Sequence, residues 1–216
     1  MPDFRTITQK ITEQIRLAII NGDYKPGDRL PQRKVAERFN TTPIVAREAL
    51  RALESEKMVV IEPRFGAMVE EISIEKLKER YIVREALEGM AARLACENMS
   101  KKDKLRLVEI ADQCDIELLD DSLSNKEKAV LHQSLHGTIL EIADCDELTQ
   151  ILKTLYLNSI LISNAYHIDW KTEEPGWHRK LVDTIISDDP NIAEKTMREH
   201  VIKGKLMEIQ ALELLI

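Results

Sequence analysis

Little in this chain of 216 residues points to a membrane, a secretory route or a β-rich fold. No apolar run approaches the roughly 20 residues of a membrane span, which excludes a transmembrane helix. The amino end, MPDFRTITQK, lacks the apolar stretch of a secretory signal. Cysteine is scarce: Cys96, Cys114 and Cys145 are odd in number and show no CxxC spacing. They read as thiols in a reducing cytoplasm rather than as a disulfide frame. Only seven glycines and seven prolines are present, which argues against a loop-rich chain or a β-barrel. The length suits two modest domains, each with a core of its own.

The prolines are unevenly spread. Pro2, Pro26, Pro31, Pro43 and Pro63 precede residue 64, and the next hundred residues hold none. Short elements joined by turns are expected in front, and long helices behind. Charge divides in the same place. The net charge of −7 hides a front (residues 1–70) with 12 basic and 10 acidic residues, and a remainder with 19 and 28. A nucleic-acid-binding head on an acidic body is compatible with that split. The expected domains are 1–72 and 73–216, joined by a short linker near Glu70–Ser73.

In the front, Ile7, Ile11, Ile15 and Ile19 form an i, i+4 stripe that predicts a core-facing helix, ended by Asn21-Gly22. A turn-rich stretch, Asp23 to Asp28, follows. Arg33 to Phe39 reads as a short second helix with Val35, Ala36 and Phe39 inward. Thr42 is a good N-cap, and Pro43 fits the first helical position. In the third helix, near 43–56, Ala46, Ala49, Leu50 and Leu53 share one side, and Ile44, Arg47, Glu48 and Arg51 the other. One face packs and the other is presented. Met58–Ile61 and Ala67–Glu70 read as strands around a turn at Glu62–Gly66. This order is that of a winged helix–turn–helix, whose second helix enters the major groove of double-stranded DNA.

The candidate DNA-binding residues follow from that geometry. Arg47 and Arg51 lie one turn apart near the leading end of the third helix, where arginine pairs bidentately with guanine or grips phosphate. Thr42 and the free backbone N–H groups behind it suit a phosphate. Arg33 starts the preceding helix, Arg64 sits at the wing tip, and Gly66 allows close backbone approach.

The same residues carry a resemblance. Ala18-Ile19-Ile20-Asn21-Gly22, Lys25-Pro26-Gly27-Asp28-Arg29-Leu30, Val35-Ala36-Glu37-Arg38, Ala46 through Glu54 and Pro63-Arg64-Phe65-Gly66-Ala67 look like the GntR family of bacterial transcriptional regulators. The resemblance covers residues 5–70. Two departures stand out. Pro43 replaces a frequent base-contacting arginine, and Lys57 stands where glycine commonly precedes the first wing strand.

Behind the front, six helices are expected near 74–98, 101–120, 125–143, 146–166, 174–187 and 190–214. Ser100 with Asp103 and Ser124 with Glu127 have capping-box spacing. Four of the five histidines fall on apolar stripes of three of these helices. His132 and His136 leave one face, shared with Ile139, Leu140 and Ala143. His178 aligns with Leu181, Val182 and Ile185, and His200 with Ala193, Met197, Val201 and Gly204. Convergent imidazoles in a bundle suit Zn²⁺ or a similar divalent transition ion such as Ni²⁺, although a hydrogen-bonded core histidine is the bland alternative at each position. HxxxH spacing at His132–His136 also raises a metalloprotease. Gln133 stands where that motif needs glutamate as base, so an enzyme is not expected.

The body resembles the effector-binding FCD domain of FadR-type GntR proteins over about 73–216, through Val83 to Glu88, Leu135-His136, Trp177-His178-Arg179 and Met197-Arg198-Glu199-His200. In metal-binding members one aspartate and three histidines hold the ion. His136, His178 and His200 match the histidines, and His132 occupies the aspartate position. Six helices suggest the VanR-like subgroup. The resemblance implies a small-molecule effector, often a carboxylate completing the metal's coordination. It makes Arg84 a candidate to hold that carboxylate and Asn158 a weaker one. A surface ion pair for Arg84 and a core amide for Asn158 are the plain alternatives. Trp170 and Trp177 flank the approach to His178 and could shield a pocket, with aromatic packing the simpler reading.

The expectation is therefore a mainly α, cytoplasmic, homodimeric transcription factor, read as a repressor. Two winged heads would bind an inverted-repeat operator, and an organic acid at a histidine-rich metal site would control them. A metal-free regulator taking a larger ligand, such as an acyl-CoA, is the alternative.

Overall fold

The computed structural model describes residues 5–166 and 176–214. The chain divides into two compact units, Met1–Ile72 and Ser73–Ile216. The fold is mainly α, as expected.

The first unit holds α1 (Ile7–Ile20), β1 (Arg29–Leu30), α2 (Gln32–Arg38), α3 (Pro43–Ser55), β2 (Val59–Glu62) and β3 (Gly66–Val69). Thr6 and Gln9 close a reciprocal capping box at the start of α1. The three helices end alike. The N–H groups of Gly22 and Asp23 bond Ile19 and Ala18, those of Asn40 and Thr41 bond Glu37 and Ala36, and those of Lys57 and Met58 bond Glu54 and Leu53. Each is a Schellman turn around a left-handed residue: Gly22 (φ 82°), Asn40 (φ 47°) and Lys57 (φ 55°). Lys57 thus takes the conformation that glycine adopts without strain, which explains why glycine suits that position.

The core of this unit is Ile11, Ile15 and Ile19 of α1 against Ala46, Ala49, Leu50 and Leu53 of α3, with Leu30, Met58 and Val69 beside them. Ile7 departs from the expected stripe. It is 68% exposed, because it is the first residue of α1 and projects past the end of the packed face. The sheet order is β1-β3-β2, fully antiparallel, with Leu30 and Ile61 both opposite Ala67. The two-residue β1 lies just after the turn-rich stretch and was not expected as a strand.

The second unit holds α4 (Ile74–Asn98), α5 (Lys101–Glu117), α6 (Asn125–Ala143), α7 (Asp146–Tyr166), α8 (Trp177–Ile185) and α9 (Pro190–Glu213). Ser73, Ser100, Ser124 and Asp189 cap α4, α5, α6 and α9. The helix α4 packs along α9 and α6. In turn α6 packs on α7 and α5, and α8 on α5 and α9. Leu77, Leu107, Leu135, Ile139, Leu152, Val182 and Met197 are among the buried side chains. The helix expected to start near 174 is described from Trp177, and Trp170 lies outside the described residues. Among the described residues, no helix is long and apolar enough to cross a membrane.

Candidate functional site

In the first unit, α3 presents the face that its sequence promised. Thr42 caps it by accepting the Val45 N–H at 3.3 Å, and Pro43 occupies the first turn. Ala46, Ala49, Leu50 and Leu53 are buried, while Ile44, Arg47, Glu48 and Arg51 are exposed. Glu48 Oε1 stands 3.6 Å from both Arg47 and Arg51, a loose surface arrangement that costs little to break. Arg33 is exposed on α2. Arg64 is exposed at the wing tip with φ 72°, and Gly66 follows with φ 87° and open space around it. The arginines and Thr42 are therefore all exposed to solvent.

In the second unit, the histidines converge. His132 and His136 come from α6, His178 from α8 and His200 from α9, and all four are buried. The Nε2 atom of His136 lies 3.3 Å from Nε2 of His132 and 3.3 Å from Nε2 of His200. One ligating atom from each of these three residues falls within 4.8 Å of the others. The His178 ring stands beside this group, with its centroid 5.2 Å from that of His132 and 5.5 Å from that of His200, but it is not one of the three whose ligating atoms all fall within 4.8 Å of one another. Trp177 stacks on His200 at 4.1 Å between centroids, which closes one side.

Two carboxylates stand behind the imidazoles. Glu88 Oε2 lies 2.6 Å from His136 Nδ1, and Asp115 Oδ1 lies 2.8 Å from His178 Nδ1. An ionised carboxylate only accepts, so the hydrogen bond to Asp115 places the His178 proton on Nδ1 and leaves its Nε2 with a lone pair, while Glu88 stands against His136 as a close charged neighbour. Glu88 is held in turn by Arg84 Nε at 2.7 Å, and Arg84 also donates to Ser159 at 2.9 Å. Burial pushes the Glu88 carboxyl up, but Arg84 and His136 outweigh it and bring it down to about 2. Burial drives His132 and His200 well below the usual imidazole range, and the neighbouring imidazoles add to this. Burial also lowers His178 against the opposing pull of Asp115. These three rings are therefore neutral near pH 7, the form that binds metal.

The residues fit a divalent ion. Two nitrogens at about 2.05 Å from Zn²⁺ and at the tetrahedral angle stand roughly 3.3 Å apart, the spacing found here. Nε2 of His178 is buried with no hydrogen-bond partner among the described residues, as a ligand atom would be. The carboxylates behind His136 and His178 are the outer partners that orient imidazole ligands. Tyr81, Arg84, Gln133, Gly204 and Glu208 line the same cleft, whose free volume is about 10 Å³, room for roughly one water.

Comparison with known proteins decides the family. Residues 7–69 match the bacterial regulatory proteins of the gntR family, and residues 79–203 match the FCD domain. The chain belongs to the GntR family of bacterial regulators, with a C-terminal FCD domain. It is a DNA-binding transcriptional regulator of GntR/FCD type. A relative described as an Uxu operon regulator, from Haemophilus influenzae, is 29% identical over 97% of this chain and 85% of its own. The transcriptional repressor RspR of Escherichia coli is 23% identical over 90% and 86%. The fold matches that of E. coli McbR/YncC with a TM-score of 0.73 at 19% identity, covering 96% of this chain and 99% of that one.

Of the residues singled out in the FCD body, Arg84 is buried in the Glu88–Ser159 network rather than paired on the surface, and it lines the cleft. Asn158 is buried on α7 and donates to the Thr154 carbonyl at 2.8 Å, outside the described cleft lining. Sequence reasoning missed the roles of Glu88, Asp115 and Glu208. Glu208 alone had a signal: it continues the His200–Gly204 stripe by one more turn.

Proposed function

We propose that this GntR/FCD protein is a homodimeric, cytoplasmic repressor whose grip on an inverted-repeat operator is governed by an organic acid bound at the histidine centre. The observation that carries the regulatory reading is the triangle of His132, His136 and His200 Nε2 atoms, spaced as ligands of one ion, in a chain that also has a winged helix–turn–helix.

In this reading His132, His136, His178 and His200 hold the metal, zinc first and nickel second. When bound, the ion supplies a positive centre that accepts a carboxylate oxygen from the effector. His132, standing where the resemblance to metal-binding FCD domains implies an aspartate, leaves the centre with the full charge of the ion and favours an anionic partner. Asp115 keeps His178 in the ligating tautomer, and Glu88 stands close behind His136. Arg84 adds positive charge at the cleft, although its Nε and one Nη are already engaged. The cleft is narrow, so an effector must part the helices that line it. Regulation then requires that the effector bind the DNA-free state more tightly than the DNA-bound one.

At the operator, Arg47 and Arg51 read base edges or phosphate, Thr42 and Arg33 anchor the backbone, and Arg64 with Gly66 carries the wing. Selection of duplexes from a random pool by the purified full chain tests the whole reading. An enriched inverted repeat, bound with a steep negative salt dependence and released by an organic acid only in metal-loaded protein, is the expected result. Release that is equal with and without metal would overturn the role of the histidine centre.

A further inference from the structure

The helix α3 opens on an apolar patch that its arginines leave without a task. From Arg47 to Ser55 every exposed residue of this helix is polar. The first turn differs: Pro43 and Ile44 are both exposed and both apolar. Ile44 is 67% exposed. It precedes Arg47 by three residues and Arg51 by seven, so the three share one face. The buried face of Ala46, Ala49, Leu50 and Leu53 lies opposite, and Ile44 takes no part in that core.

A single exposed isoleucine is ordinary on a protein surface. Ile44 differs in where it stands. When a helix–turn–helix docks, the leading residues of its second helix meet the base edges. Pro43 and Ile44 bring no side-chain donor or acceptor there, and proline lacks even the backbone N–H. Reading by hydrogen bonds is closed at both positions and begins at Arg47. Isoleucine is also β-branched, so a helix holds its χ1 mostly in one rotamer. It presents a fixed apolar surface with little freedom to lose on docking.

The apolar group that the major groove offers is the C5-methyl of thymine. Against guanine, cytosine or adenine, isoleucine would displace water from donors and acceptors and return no hydrogen bond.

We infer that Ile44 is a specificity-determining residue that selects a thymine, through its C5-methyl, in each half of the operator. The inference rests on the reading above, in which α3 enters the major groove. Ile44 stands about 4.5 Å before Arg47 along the helix axis. Base pairs are stacked about 3.4 Å apart. The thymine therefore belongs one or two base pairs from the pair nearest Arg47.

Deoxyuridine tests this, because it removes the methyl and keeps the Watson–Crick pair. The probe is the duplex that the full chain enriches from a random pool, with its thymines replaced by deoxyuridine one position at a time. Affinity is read by fluorescence anisotropy at a fixed salt concentration. One position in each half should weaken wild-type binding about three- to fivefold. Ile44→Ala should weaken the unmodified duplex by at least that factor and no longer respond to deoxyuridine there. Ile44→Val, which keeps the branched methyls, should retain the response. Wild-type binding that is indifferent to deoxyuridine at every position, or equally sensitive in Ile44→Ala, would overturn the role of Ile44 and leave the docking of α3 standing. Failure of the pool to yield any duplex bound more tightly than random DNA would overturn that docking, and this inference with it.

Discussion

Asp115 grips His178 twice: its Oδ1 lies 2.8 Å from the ring Nδ1 and accepts the backbone N–H of the same residue at 3.0 Å. Its other oxygen accepts the Arg179 N–H at 2.9 Å. The helix α8 begins after Gly176, which has no side chain to cap it. Asp115, reaching across from α5, supplies both the missing cap and the orientation of a candidate ligand. Asp115→Asn keeps an acceptor for the backbone but no longer fixes the ring tautomer. Metal affinity, read by competition with a chromophoric chelator, should fall about 10- to 100-fold with little loss of fold. An unchanged affinity would remove His178 from the ligand set.

Glu208 makes stability depend on pH in a defined direction. Its folded pKa is raised from 4.5 to about 7 by burial. Between those values the folded chain holds a proton that the unfolded chain has released. Stability from this group is therefore full below about pH 4.5 and is lost as pH rises through about 7, by roughly 3 kcal/mol. Glu208→Gln lacks that loss. Both tryptophans, Trp170 and Trp177, fall in residues 73–216, so urea unfolding followed by their fluorescence reports the body alone. From pH 5 to pH 8 the variant should gain about 2–3 kcal/mol on the wild type. A difference constant over that range would contradict the assignment.

On the DNA side, Arg47→Ala should cost about 1–3 kcal/mol of operator affinity and relax preference at one base pair. Arg64→Ala at the wing should weaken all duplexes alike and reduce the salt slope by about one. Fluorescence anisotropy at several salt concentrations separates the two. Equal loss on operator and random DNA would make Arg47 a phosphate contact.

Lys57 pays for a left-handed backbone that its Schellman turn requires. Lys57→Gly should raise the stability of the first unit by about 0.5–1 kcal/mol, measured by thermal unfolding. A loss of stability would mean that the lysine side chain contributes more than the backbone strain costs.

How much of this was legible in the sequence depended on whether a residue's neighbours were local. The two faces of α3 were plain because each residue's surroundings follow from its place on the helix. The stripes of His132, His136, His178 and His200 were plain for the same reason. Ile7 was misjudged because periodicity does not tell where the packed partner ends. β1 is too short to show alternation. The buried carboxylates were hidden for a different reason. Glu88 follows Arg84 by four residues, which in sequence is identical to an exposed helix pair, and only tertiary packing buries both. Asp115 precedes His178 by 63 residues, and no local pattern joins them.

Zinc titrated by calorimetry into chelator-stripped full chain, wild type beside His136→Ala, tests most directly whether the histidine centre holds a metal ion. About one equivalent per chain is expected in the wild type, with loss of that binding in the variant. Less than about a tenth of an equivalent in the wild type, or undiminished binding in the variant, would contradict it.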